Sequence, residues 1–205
     1  MCCRKLLPEV IVFAGPNGSG KSTIAKLARV VGHYINADNI KRANYCTDME
    51  AAKIAERMRE EAISQRDDFT FETVMSTDRN LNLLRKARSL GYFVRCIYVL
   101  TSDVNINIAR VHSRVELGGH DVPVEKIRSR YDKALALIPE LLGICDIMHI
   151  YDNSIRPFRI FKKRKTEYFF WEDSEWDRQK IENLVGLKIL YIILLRCYTT
   201  AARRC

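Results

Sequence analysis

What this 205-residue sequence lacks narrows its reading first. Its seven cysteines form no C-x-x-C pair and no Cys/His spacing of a metal site. An odd, scattered set also argues against a disulfide framework and for a reducing compartment, so a cytoplasmic location is expected. Cys96 and Cys145 lie in apolar segments and read as small core residues. No long hydrophobic run is present; the longest, residues 189–195, is far too short to span a bilayer. The apolar N-terminal stretch runs straight into a glycine-rich loop, and removing it as a signal peptide would destroy that unit. Neither export nor a membrane is expected. There is no N-K-x-D, which removes a guanine-reading switch, and no internal repeat.

The composition that remains is globular: 47% hydrophobic and 29% charged. The net charge of +9 is uneven, because residues 156–205 hold 12 of the 34 Lys and Arg but only 6 of the 25 Asp and Glu. The basicity is therefore largely a property of the last quarter. In the core, anionic nucleotide substrates account for the smaller excess.

Residues 15–23, G-P-N-G-S-G-K-S-T, organise the chain. They match the P-loop pattern G-x-x-x-x-G-K-[ST], with Gly15, Gly20, Lys21 and Ser22 at its fixed places. Residues 10–14 before it form a short apolar run of buried-strand type, and Ile24, Ala25, Leu27 and Ala28 after it start a helical pattern. Glycines let backbone N–H groups close around phosphate oxygens, and the following helix turns its positive end to the same anion. Gly15, Pro16, Asn17, Gly18, Ser19, Gly20, Lys21, Ser22 and Thr23 are thus expected to bind a nucleoside triphosphate. Lys21 would reach the β/γ-phosphates and Ser22 would hold Mg²⁺.

Strand and helix patterns then alternate to about residue 151, which predicts an α/β fold with an open parallel sheet and helices on both faces. A second strand at residues 33–36 ends at Asp38. Thr47 and Glu50 form a capping box for a helix running to about Gln65. A short strand at 69–71 is followed by Glu72 and Thr73, residues 93–100 form a near-continuous apolar strand, and one helix is expected from Val124 to about Ile138. Ligands of such sheets bind beyond the carboxyl ends of the strands, where Asp38 and Glu72 both lie. Asp38 is the candidate base for an acceptor hydroxyl, with a cap of the helix after it as the alternative; Glu72 is a candidate to bind the acceptor or a Mg²⁺-bound water, and Thr73 to bind the acceptor. Asp103 follows a strand as a Walker-B acid would, but Thr101-Ser102-Asp103 also precedes a helix as a cap would. Arg110, Arg114, Arg128 and Arg130 flank the break G-G-H-D-V-P, the makings of a closing lid with phosphate-binding guanidinium groups. Arg114 and Arg128 are the leading candidates, and the lone His120 in the break reads as structural.

Taken in order, G-P-N-G-S-G-K-S-T, N-A-D, F-E-T, G-Y-F-V-R-C-I-Y-V, R-V-x-x-R-V-x-x-G-G-H-D-V-P, R-S-R-Y and Y-D-N-S resemble the zeta-toxin-like P-loop kinases over residues 9–155. The resemblance implies ATP- and Mg²⁺-dependent phosphorylation of a small acceptor, UDP-N-acetylglucosamine in the toxin members, and an antitoxin partner. By that likeness Asp38 falls on the acceptor-activating aspartate, Glu72 on the substrate-binding glutamate, and the lid arginines on the phosphate clamp.

The division expected is a kinase core at 1–155 and a basic β-ribbon with a tail at 156–205. In the ribbon, Phe158, Phe161, Tyr168, Phe170 and Trp171 flank Lys162, Lys163, Arg164 and Lys165 as a basic turn. Basic and aromatic residues together can hold a single nucleic-acid strand. A lysine-rich ribbon is also how a sheet blunts its edge, and nucleic acid is not the expected partner.

Overall fold

The computed structural model describes residues 7–119 and 121–187. Seven strands form one sheet in the order β2-β3-β1-β4-β5-β6-β7. In chain order these are β1 (Glu9–Ala14), β2 (His33–Ile35), β3 (Phe69–Thr73), β4 (Phe93–Leu100), β5 (Ile147–Asp152), β6 (Phe158–Arg164) and β7 (Glu167–Phe170). The first five are parallel, and β6 and β7 continue the sheet antiparallel. The open parallel sheet with helices on both faces and a C-terminal ribbon is therefore the architecture of the molecule.

The alternation of β1 explains both layers, since successive side chains point to opposite faces. Val10, Val12 and Ala14 join the larger core, which α3 (Asp48–Gln65), α4 (Asp78–Ser89), α7 (Ile138–Ile144) and α8 (Arg178–Val185) cover. Ile11 and Phe13 join a smaller core under α1 (Lys21–Leu27). A third apolar cluster joins α5 (Val104–Glu116) to α6 (Val124–Ala136) through Val111, Val122 and Ile127.

The helix expected to run from Val124 to Ile138 stops at Ala136, and α7 begins at Ile138. Pro139 is the cause: it lacks an N–H and is tolerated only in a first turn, so it starts a helix here instead of continuing one. The basic run is a strand and not a turn. Lys162, Lys163 and Arg164 pair with Phe169, Tyr168 and Glu167, and the chain reverses after them at Lys165, which has a positive φ of 54°. Three of the ribbon's cations have internal partners. Arg159 lies over the Trp171 ring at 4.1 Å, Lys162 over Phe169 at 5.7 Å, and Lys163 donates to the Leu142 carbonyl at 2.6 Å. Asp173 accepts the N–H groups of Glu175 and Trp176 in a turn, and Asp177 caps α8 (Arg178–Val185). Ile160, Phe161, Trp176, Ile181 and Val185 share the larger core with β1 and β4. The apolar run at 189–195 and His120 lie outside the described residues. Among the described residues, no helix is long and apolar enough to cross a membrane.

Candidate active site

β1, β2, β3, α1, α5 and α6 bring most of the predicted site residues to one cleft of about 900 Å³. Its floor is the P-loop. At Gly15, with φ of 139°, a Cβ would lie 1.9 Å from the Val99 carbonyl oxygen, and at Gly20, with φ of 92°, 2.3 Å from the Asn153 amide nitrogen. Neither place admits a side chain. Two asparagines hold the loop from opposite sides: Asn107 Nδ2 donates to the Asn17 carbonyl at 2.5 Å, and Asn153 Nδ2 to the Ser19 carbonyl at 2.8 Å. Asn107 is itself set by α6, because the Thr101 hydroxyl donates to its Oδ1 and the Tyr131 hydroxyl donates to the Thr101 carbonyl at 2.6 Å.

Lys21 opens α1 and folds back on the loop, its Nζ donating to the carbonyls of Gly15 at 2.7 Å and Pro16 at 2.8 Å. Burial lowers its pKa to about 8, against the opposing pull of the Glu72 and Asp38 carboxylates. Gly20 supplies no side-chain cap to α1. Among the described residues, Asn17 Oδ1 and Ser19 Oγ are buried and make no hydrogen bond. A loop lined by uncapped backbone, a lysine and orphaned polar atoms suits a polyphosphate.

Glu72, at the end of β3, accepts from the Ser22 hydroxyl at 2.8 Å through Oε2 and from the Tyr34 hydroxyl through Oε1. Burial, and then this bond, hold the Tyr34 phenol protonated well above its ordinary range. Asp38 lies in the first turn of α2 (Ala37–Asn44), where a negative charge is favoured. The cap of that helix is Asn36, whose Oδ1 accepts the N–H groups of Asp38 at 2.8 Å and Asn39 at 3.2 Å. The Asp38 carboxylate is thus not consumed in capping and lines the cleft with Lys21, Ser22 and Glu72. Asp103 behaves oppositely: its carboxylate caps α5 through the Asn105 N–H at 2.8 Å. Thr73 Oγ1 accepts from Asn80 at 2.7 Å and from the Met75 N–H at 3.0 Å, setting the turn that leaves β3.

Arg110, Arg114 and Arg130 line the cleft. Arg128 does not; it donates to Asn105 Oδ1 at 2.9 Å on the exposed side of α6. The glycines of the break close α5: a Cβ on Gly119 would lie 2.5 Å from Arg114 Cγ. Sequence reasoning missed Tyr34, Asn107 and Asn153, and also Arg59 of α3, which lines the cleft. Only Asn153, in Y-D-N-S, stood in a motif already singled out.

A family model described as zeta toxin matches residues 31–155. The chain belongs to the zeta toxin family. The match begins after the P-loop, so that loop is assigned by its own motif and geometry. An uncharacterised protein of Haemophilus influenzae is 30% identical over 129 residues, 60% of this chain and 92% of that one. Among solved structures, the fold is similar to one from the PezAT toxin–antitoxin system of Streptococcus pneumoniae. There the identity is 19% and the TM-score 0.58, over 93% of this chain and 88% of that chain. It is also similar to a chain of the AvrRxo1-ORF1:ORF2 complex with ATP, at 12% identity and a TM-score of 0.67, over 88% and 64%. A zeta toxin family chain on this fold, with its P-loop in place, is a P-loop kinase-like phosphotransferase.

Proposed function

We propose that this zeta toxin family chain is an ATP- and Mg²⁺-dependent kinase that phosphorylates a hydroxyl of a small acceptor, with UDP-N-acetylglucosamine the first acceptor to test. The reading rests on one observation above all: Asp38 shares the cleft with Lys21, Ser22 and Glu72 while Asn36 does the capping. Asp38 orients the acceptor hydroxyl and takes its proton as the new O–P bond forms on the γ-phosphorus. The bond from that phosphorus to the β-bridging oxygen breaks, and ADP departs. Lys21 and the cleft arginines balance the negative charge on the transferring group. The Ser22 hydroxyl and the Glu72 and Asp38 carboxylates are hard oxygen donors, the set that suits Mg²⁺. Ser22 would hold the ion, which when bound neutralises phosphate charge.

We further place the catalytic unit at residues 1–155, with 156–205 as an addition, and the work in the cytoplasm, where ATP is supplied. The PezAT structure is of a toxin–antitoxin system, and an antitoxin-type protein is the proposed partner of this chain too. The test is phosphate transfer from Mg·ATP to UDP-sugars and nucleosides, beside Lys21→Ala and Asp38→Asn. Transfer is expected to fall about 10²–10⁴-fold in Asp38→Asn with nucleotide binding retained. Full transfer by Asp38→Asn, or ATP hydrolysis indifferent to every acceptor, overturns the reading.

A further inference from the structure

Arg59, on α3, is only 8% exposed, yet no carboxylate among the described residues pairs with it. Its Nε is buried without a hydrogen bond, and among the described residues the guanidinium makes neither a hydrogen bond nor an ion pair. The two carboxylates whose charge acts on it are engaged elsewhere: Glu56 with Arg79 at 3.2 Å, and Glu60 with Lys86. One face of Arg59 rests on the Phe71 ring, 5.3 Å from its centroid. Burial pulls its pKa down, partly opposed by Glu56.

An aromatic face repays little of what a guanidinium loses on leaving water, and a charge so placed calls for a counter-ion. The open direction is the cleft. Ala52, Ala55 and Arg59, spaced three and four apart, share the helix face that lines it, and the two alanines leave room in front of the cation. This face, together with Thr73 at the end of β3 and Arg79 and Asn80 at the start of α4, lines one wall of the cleft. The nucleotide's phosphates are already provided for by the P-loop.

We propose that Arg59 is the centre of a second anion subsite, on the acceptor side of the cleft, and that the acceptor is a hydroxyl compound carrying an oxyanion, phosphate or carboxylate, that binds there. The assignment deepens the kinase reading and rests on it for the word acceptor. A planar guanidinium fork, backed by a ring, matches two oxygens of one such group. Neutral sugars and nucleosides leave the buried charge uncompensated and are poor acceptors; their phosphorylated or carboxylated counterparts are good ones.

Binding is tested with the P-loop filled by a non-hydrolysable ATP analogue, by calorimetric titration of inorganic pyrophosphate into the full chain. A further binding event is expected in the wild type and is lost in Arg59→Met. Kinetics then compare UMP with uridine, and gluconate with glucose, which separates phosphate from carboxylate as the recognised group. In Arg59→Met the KM for the anionic acceptor should rise about 10- to 100-fold, with the KM for ATP in place. Its Tm should hold or rise, because methionine removes an uncompensated charge while keeping apolar volume. Absence of the pyrophosphate event, its persistence in Arg59→Met, or a lower Tm with unchanged acceptor KM overturns the subsite. An Arg59-dependent event without transfer to any acceptor upholds the subsite and overturns the kinase reading instead.

Discussion

The hydroxyl of Ser22 donates to the carboxylate of Glu72, with Oγ and Oε2 2.8 Å apart. This one bond ties the first turn of α1 to the end of β3, across the mouth of the P-loop. The hydroxyl hydrogen points at Glu72, so the oxygen's lone pairs remain for a hard cation, and the Tyr34 hydroxyl steadies the same carboxylate from β2. Removing the charge while keeping the shape is the direct test. Glu72→Gln is expected to lower acceptor kcat/KM about 10- to 100-fold and to raise the Mg²⁺ concentration for half-maximal rate. Tyr34→Phe, which removes one donor only, should cost about 3- to 10-fold. Unchanged Mg²⁺ dependence in Glu72→Gln would separate Glu72 from the metal.

Lys21 carries a pH prediction whose sign follows from its environment. Burial lowers its pKa to about 8 in the free protein, so above pH 8 the free enzyme holds a neutral amine. A polyphosphate favours the ammonium and raises that pKa, so binding takes up a proton. Nucleotide affinity should be level below pH 8 and weaken about tenfold per unit as pH rises beyond it, until the pKa of the complex is reached. Calorimetry at pH 8 in two buffers of different ionisation enthalpy should read an uptake of about half a proton, absent in Lys21→Ala. Equal enthalpies in both buffers would contradict it.

Where apolar pattern and fixed motif coincide, the fold was legible from residue types. β1, the P-loop and β4 fall where expected because strands buried on both faces leave an unbroken apolar signature. The Thr47–Glu50 capping box likewise appears with both of its bonds. What could not be read is which of several equivalent residues a local geometry selects. Asn36 and Asp38 are both capping types, and only the backbone shows that the helix starts early enough for Asn36 to do it. Arg59 gave no signal, since an arginine in an amphipathic helix reads as solvated until its neighbours are known. The P-loop's asparagine supports lie 90 and 134 residues away in sequence from the carbonyls they hold.

Those supports give a third prediction. Asn107 is fully buried, and Asn107→Ala leaves the Thr101 hydroxyl and the Asn17 carbonyl without it. The cost should be about 1–3 kcal/mol of stability, read as a lower denaturation midpoint, with weaker nucleotide binding alongside. Asn153→Ala, at the loop's more exposed side, should weaken nucleotide binding with a smaller loss of stability. Tight nucleotide binding by both variants would show that the loop holds its shape unaided.

The arginines of the break are separated by helix phase. On α6, Ile127, Tyr131 and Ala134 form the buried stripe. Arg130 is three residues after Ile127 and so borders that stripe, next to the cleft, whereas Arg128 is one residue on and turns about 100° away to meet Asn105. Arg114 and Arg130 line the cleft and are the arginines proposed to meet the transferring phosphoryl group, whereas Arg128, a leading candidate by sequence, contacts Asn105 at the surface. Arg114→Ala and Arg130→Ala should each lower kcat about 100-fold or more, as expected for removing a donor from developing charge. Arg128→Ala should stay within about fivefold of wild type, since an exposed charged contact contributes at most about 1 kcal/mol. Single-turnover transfer rates at saturating nucleotide make the comparison cleanly. A large loss in Arg128→Ala with a small one in Arg130→Ala would mean that α6 rotates when the substrates bind.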